Sequence, residues 1–374
     1  MIGLRGRGSL PGRDGQGHLG PRSARTRTGG LLGLLLATAW LAASCSGADA
    51  PAPTGDGDAP PTPTPGEPDL EPTPAPPATA APPSPAPSPT PTAEEFGEPE
   101  LVGSFDAEIV PGASGLATSA RNAGARYLLD DRPGTSEVWV LRRDGSLRGH
   151  ITVAGLDAVD TESLSVAPCG PDDGRPCVYV GDVGDNLRSR DDVRIFRFPE
   201  PDLTDGLPED PVSADVAVLT YPGDPEDVEA MLVDDAGVPH LVTKAPVDPE
   251  TGETGPTRLY TAGGFADGEL EEIGELDLPP PAEPLLSLVV GDVVTGGSVG
   301  PDGRVLLRTY DHVLLGTPPH PDAPIEELGR WTFEEVPTPF LPQPEAITWA
   351  EDGCGYDLVS ERIGEVWHVP CLTG

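Results

Sequence analysis

The sequence predicts an all-β domain, a β-propeller of four-stranded blades, over residues 95–374 of a 374-residue chain. Three observations predict it. Short strand-like runs alternate with Gly, Pro and Asp turns, and no long segment carries a 3.6-residue apolar period. A strand-opening element recurs: "SGLATSARNAG" at Ser114, "ESLSVAP" at Glu162, "EAMLVDDAG" at Glu229, "TGGSVGPDG" at Thr295 and "EAITWAEDG" at Glu345. The starts lie roughly 50 to 70 residues apart, the length of one blade with loop insertions. The last repeat stops one strand short, and "PELVGSF" near residues 99–105 is the best source of its missing strand. Closure by both termini removes an open sheet edge. Five blades are counted, and six if a further unit hides near "LLSLVVGDVV". A β-sandwich is the rival, but it does not predict a polar residue recurring at matched strand positions.

In chain order, residues 1–44 read as an export signal. Arg5, Arg7, Arg13, Arg22, Arg25 and Arg27 precede the apolar run "LLGLLLATAWLAAS", which is shorter than the ~20 residues a spanning helix needs. "LAASC" resembles a bacterial lipobox, with Ala42 where Leu is usual. On that reading Cys45 is lipidated and tethers the protein to the outer face of the membrane. Ordinary cleavage, with Cys45 a bystander and the protein secreted, is the alternative. Residues 45–94 are rich in Pro, Thr and Ala, a composition that forms no core and acts as an extended, disordered stalk.

Within the domain each opening strand is followed by a second that ends on a polar residue: Asp130, Asp182, Lys244, Arg308 and Glu361. Third strands follow as "EVWVL", "VRIFRF", "TRLYTA", "HVLLG" and "EVWHV". Fourth strands follow in four repeats as "LRGHITV", "ADVAVLTY", "LEEIGELDL" and "LGRWTF". Of the five cysteines, Cys45 is the odd one. Cys169 and Cys177 flank a turn, and Cys354 and Cys371 flank the last hairpin. In an exported chain each pair reads as a structural disulfide. A zinc site is the rival, without a CxxC or a nearby His pair to support it.

The chain carries a formal net charge of -39. Acidity of this degree repels nucleic acid and anionic head groups. It suits either an exposed, soluble surface or one that gathers cations. In a propeller the first strand of each blade lines the central channel. Ser114, Glu162, Glu229, Thr295 and Glu345 should therefore converge at one end, with Asp130, Asp182, Lys244, Arg308 and Glu361 around the mouth. Three carboxylates in a narrow channel need compensation by a cation, by Lys244 and Arg308, or by protonation. Ca²⁺ suits hard oxygen ligands, and Asp182, Asp185 and Asn186 of "GDVGDN" would join it or form a second site. The other reading gives these groups to hydrogen bonds between blades. "GGSVG" around Ser298 matches a nucleophile-elbow pattern, but a turn and another strand follow it where an elbow requires a helix.

The domain also resembles a group of secreted propeller proteins of high-GC bacteria. The resemblance rests on Ser114–Leu116, Asp160–Leu164, Tyr179–Asn186, Asp227–Ala230, Val242–Lys244, Leu307–Tyr310 and Gln343–Ile347, with GDVGDN its most specific part. It implies the fold and export, and no activity. More distantly the chain is similar to metal-dependent propeller hydrolases of the gluconolactonase and propeller-phytase groups, an analogy of fold. Two functions follow as expectations. One is a monomeric binding or scaffolding module at the cell envelope, for a small-molecule or protein ligand. The other is a Ca²⁺-dependent hydrolase of a small ester, lactone or phosphoester.

Overall fold

The structure is a computed structural model that describes residues 95–372 other than 249, 250 and 252. The signal segment, Cys45 and the stalk lie outside the described residues. Five sheets each hold four antiparallel strands, in sequence order in the first four. The first blade runs Ala113–Thr118, Arg126–Asp130, Glu137–Leu141 and Leu147–Ala154. The second runs Thr161–Gly170, Asp173–Asp182, Val193–Pro199 and Asp215–Thr220. The third runs Val228–Val233, Pro239–Thr243, Thr257–Thr261 and Glu271–Leu276, and the fourth Val294–Val299, Val305–Thr309, Val313–Thr317 and Thr332–Val336. The fifth takes Pro344–Trp349, Tyr356–Ser360 and Glu365–Val369 from the C-terminus and Glu100–Ser104 from the start of the domain. The ring is closed as the sequence predicts. "LLSLVV" forms a single helical turn, Ser287–Val290, ahead of the fourth blade, and supplies no sixth sheet. Two short parallel strands, Val212–Ser213 and Gly268–Glu269, extend the first and second sheets outward.

Strand periodicity explains how the blades stack. Successive side chains point to opposite faces of a sheet, so each second strand feeds two cores. Tyr127 and Leu129 pack with Val178 and Val180 between the first and second blades. Leu128 faces the other way, onto the fifth. Tyr179 meets Leu241 between the second and third. Val242 and Leu307 meet between the third and fourth, and Leu306 and Leu358 between the fourth and fifth. Five interfaces thus have five cores, each large side chain contributing about 1.5–3 kcal/mol by leaving water.

The inner strands pack closely around the axis because several of their residues are glycine. A Cβ on Gly115 would lie 2.8 Å from the Leu164 backbone nitrogen, and one on Gly296 would lie 2.5 Å from the Glu345 carbonyl oxygen. This is the role of the glycines in "GGSVG": Ser298 lies inside the strand Val294–Val299, and no elbow forms. Both expected disulfides are present, Cys169–Cys177 and Cys354–Cys371, which settles the cysteine question against zinc and suits an oxidising compartment. No helix among the described residues is long and apolar enough to cross a membrane.

Candidate functional site

Each inner strand carries a register break near its start, after the second residue in the first blade and after the first residue in the other four. The residues left unpaired are Gly115 (next to Ser114), Glu162, Glu229, Thr295 and Glu345. A bulge re-aims the side chain it carries. Repeated in five blades, it turns one residue per blade out of the ladder at the same end of the channel.

Thr295 and Ser114, the neighbour of Gly115, bind the adjacent blade. Ser114 Oγ donates to the Glu162 carbonyl and to its Oε2, both at 2.9 Å, and Thr295 Oγ1 donates to the Pro344 carbonyl at 2.8 Å. The three glutamates are buried and crowd one another. Burial raises the carboxyl of Glu162 well above its usual range, and Glu229, Asp160, Glu345 and Asp131 add to the effect. Glu345 is raised by burial and then by Glu229 and Glu361. Glu229 is pushed up to about 7 by burial, against the pull of Lys244. Lys244 Nζ donates to Glu229 Oε1. Burial opposes its charge most strongly, but Glu229, Tyr310 and Asp227 together outweigh burial and raise the ammonium well above its usual value. Glu229 Oε2 is left without a hydrogen-bond partner.

The loops add acids that the sequence analysis did not single out as site residues. Asp131, half-buried, rises to about 7 through burial, then Glu361 and Asp130. Asp160 is raised by burial and then by Asp227. The signal was available: Asp160 and Asp227 each stand two residues before a ring glutamate, as D-x-E. Tyr310 also belongs here, its ring centroid 5.7 Å from Lys244 Nζ. Its hydroxyl is raised chiefly by burial, against the pull of Lys244.

GDVGDN proves to be the framework of this end. Asp182 Oδ1 accepts from the backbone of Val159 and Asp160 and pairs with Arg190 at 3.1 Å. Asp185 Oδ2 accepts from the backbone of Ser189 and Arg190. The Asp185 N–H donates to Asp227 Oδ1 of the next blade at 2.8 Å, and Asn186 is exposed. Asp182 Oδ1 and Asp185 Oδ2 thus face N–H donors, the Asp185 N–H fastens the loop to the next blade, and Asp182 Oδ2 is buried without a hydrogen-bond partner. Gly184 has a reason of its own, since a Cβ there would lie 2.7 Å from both Asp160 Oδ2 and Glu162 Cγ.

Counting from strand ends misaligned the second strands. The pairing places Thr243, Thr309 and Ser360 opposite the first residues of their inner strands, where Asp130 and Asp182 stand in the first two blades. Lys244 and Glu361 fall one residue beyond and still reach the mouth. Arg308 falls one residue short, on the face of its strand that meets the fifth blade. There it is buried, donates to Thr338 Oγ1, and is lowered to about 10 by burial. Asp130 is bound by Arg132.

The other end of the channel opens into a cavity of about 420 Å³ lined in part by Leu164, Val166, Val233, Val299, Thr348 and Trp349. Its lining also includes Arg121, Asp235 and Glu351, and none of the ring glutamates. Among the described residues, the group of three His, Cys or acidic donors that comes within 4.8 Å lies at neither opening. It is Asp234, His240 and Glu326.

No family model matches the chain, and no curated protein matches it. Among solved structures it is similar to a gluconolactonase from Xanthomonas campestris at 11% identity, over 73% of this chain and 89% of that one, with a TM-score of 0.40. It is similar to a virginiamycin B lyase from Staphylococcus aureus at 11% identity, over 74% and 100%, with a TM-score of 0.36. A glucose dehydrogenase matches at 9% identity, over 74% and 100%, with a TM-score of 0.40. Likenesses this distant carry no argument about what the chain binds or does.

Proposed function

We propose that this protein is an envelope-displayed binding module whose propeller recognises positive charge at its carboxylate-lined mouth. The observation that carries the reading is the shortage of cations there. Glu162, Glu345, Asp131 and Asp160 are all raised although Arg132 and Arg190 pull Asp131 and Asp160 down, and Lys244 is already hydrogen-bonded to Glu229. A cation is the partner such a group lacks, because it relieves repulsion that burial makes severe. Ca²⁺ suits hard oxygen donors, and Glu162, Glu345 and Asp160 would have to draw together to hold it, since among the described residues no three acidic donors of this end lie within 4.8 Å of one another. The loops of the same end expose Ile109, Val159, Leu187, Leu288, Val289 and Phe340, which favours a ligand with apolar as well as cationic parts. On this reading residues 1–44 direct export, Cys45 carries the lipid, and residues 45–94 hold the domain off the membrane.

A second reading, a Ca²⁺-dependent hydrolase of a small ester, lactone or phosphoester, is favoured by one feature. Glu229 and Asp131 titrate near 7, where a carboxylate serves as a general base, and Lys244 stands ready to steady an anion. Calcium-dependent melting of the full chain, beside a Glu345→Gln variant, tests the first reading. A rise in melting temperature with Ca²⁺ that the variant loses supports it. No shift in either protein overturns the metal. Turnover on a panel of esters, lactones and phosphoesters moves the conclusion to the hydrolase.

A further inference from the structure

We propose that Asp234, His240 and Glu326 form a second metal site, for a divalent transition ion such as Zn²⁺, on the face opposite the carboxylate mouth. Asp234 closes the hairpin between the first two strands of the third blade. Its Oδ1 accepts from the backbone of Ala236 at 2.9 Å and Val238 at 2.8 Å, which fixes the carboxylate and leaves Oδ2 facing His240. His240 stands on the strand Pro239–Thr243, opposite Leu232 and on the same face as Val242, so it points toward the fourth blade. Glu326 comes from that blade, on the short 3-10 helix Ile325–Arg330, whose Ile325 and Leu328 pack into the shared core. The three donor atoms lie within 4.8 Å of one another.

The imidazole gives an independent reason. His240 has 0% exposure, and its Nε2 approaches Asp234 Oδ2 only to 3.4 Å. That is long for a bond between a carboxylate and an imidazole. It matches the edge of a tetrahedron around an ion with bonds of about 2.0–2.2 Å, which is roughly 3.4 Å. An imidazole beside two carboxylates selects Zn²⁺, Co²⁺ or Mn²⁺ over Ca²⁺, and three protein ligands leave the fourth position to solvent. Glu326 is exposed and closes the site from the surface. The bound ion would pin the hairpin of the third blade to the insertion of the fourth. This goes beyond the reading of the mouth and does not depend on it.

The test is equilibrium dialysis of the full chain against Zn²⁺ with Ca²⁺ in excess, with Co²⁺ as a spectroscopic stand-in. One Zn²⁺ is expected per chain, and Co²⁺ should give the visible absorption of a four-coordinate ion. Glu326→Gln changes an exposed side chain, and Asp234→Asn keeps the Oδ1 acceptor for its turn, so both should fold. Each should weaken Zn²⁺ binding roughly 10-fold or more and lose the cobalt spectrum. Absence of Zn²⁺ binding by the parent chain, or equal binding by parent and both variants, overturns the proposal. Neither result touches the calcium response of the mouth.

Discussion

Asp173, in the hairpin at one end of the second blade, is lowered to about 2 by its bonds to Arg175. Asp131, at the other end of the first blade, is raised to about 7, first by burial and then by neighbouring acids. The contrast extends across the two faces. At the hairpin end Asp144, Asp202 and Asp234 are also lowered, each with local hydrogen-bond donors. At the mouth Asp160, Glu162, Glu229 and Glu345 are raised. Asp311 is the exception there, since it caps the turn at Leu285–Ser287 with four hydrogen bonds. Net charge alone would not separate the two ends. What separates them is whether each acid is placed beside an N–H donor or beside another acid.

The most direct way to break this contrast is to remove the lysine. Lys244→Met leaves Glu229 buried without its partner, and an uncompensated buried charge costs about 3–5 kcal/mol. Denaturant unfolding at pH 8 should show that loss. The loss should shrink at pH 5, where Glu229 takes up a proton. An equal loss at both values would mean that Lys244 acts by packing alone.

The pH profile of the unaltered chain comes next in size. A carboxyl whose folded pKa is raised binds more protons folded than unfolded. Its stabilising share is complete below the ordinary value near 4.5 and is lost as pH climbs through about 7. For Glu229 the span corresponds to about 3 kcal/mol. His368 is raised by its hydrogen bond to Asp357 and changes stability in the same direction as pH passes upward. The lowered acids of the hairpin end act the other way and lose their share as pH falls from about 4 toward 2. Melting temperature should therefore peak at about pH 4–5, fall toward pH 8, and recover there when Ca²⁺ is added. A profile flat from pH 5 to 8 would remove the basis for a mouth short of cations.

How much of this was legible beforehand follows from the physics of strands. Blade count, closure by Glu100–Ser104 and both disulfides could be read because they depend on apolar alternation and spacing, which a sequence displays. Which face a side chain takes depends on register, and a single bulge changes it. That is why Lys244 reaches the mouth while Arg308 turns into the interface between blades. The hydrogen bonds of Asp182 Oδ1 and Asp185 Oδ2 could not be read beforehand, because most of their donors are backbone N–H groups, which carry no signature in sequence. Asp131, Tyr310 and the pairing of His240 with Glu326 depend on loops from separate blades. Only the two D-x-E spacings pointed to part of that neighbourhood.

Gly184→Ala sharpens the contrast at a smaller scale. The added methyl meets Asp160 and Glu162 at 2.7 Å, and overpacking of this kind costs about 1–3 kcal/mol. The five cores between blades are untouched, so the melting transition should stay cooperative and move down, while the calcium response weakens. An alanine variant that melts and binds Ca²⁺ as the parent does would show that the GDVGDN turn is not packed on the carboxylates.

The smallest effect belongs to the hairpin end, and its smallness is the point. Asp173 and Arg175 pair at 2.6 Å on the surface, where solvent screens the attraction and ordering two side chains offsets most of it. Asp173→Asn removes the charge but keeps an oxygen for the Arg175 N–H, which Asp173 Oδ1 accepts at 3.1 Å. Melting curves of this variant should overlay those of the parent chain at pH 5 and at pH 8. Glu345→Gln, which also removes one negative charge, should raise the melting temperature at pH 8 without Ca²⁺, because it relieves crowding with Glu229 and Glu361. Equal shifts from the two substitutions would trace the effect to net charge. Unequal shifts trace it to the company each carboxylate keeps.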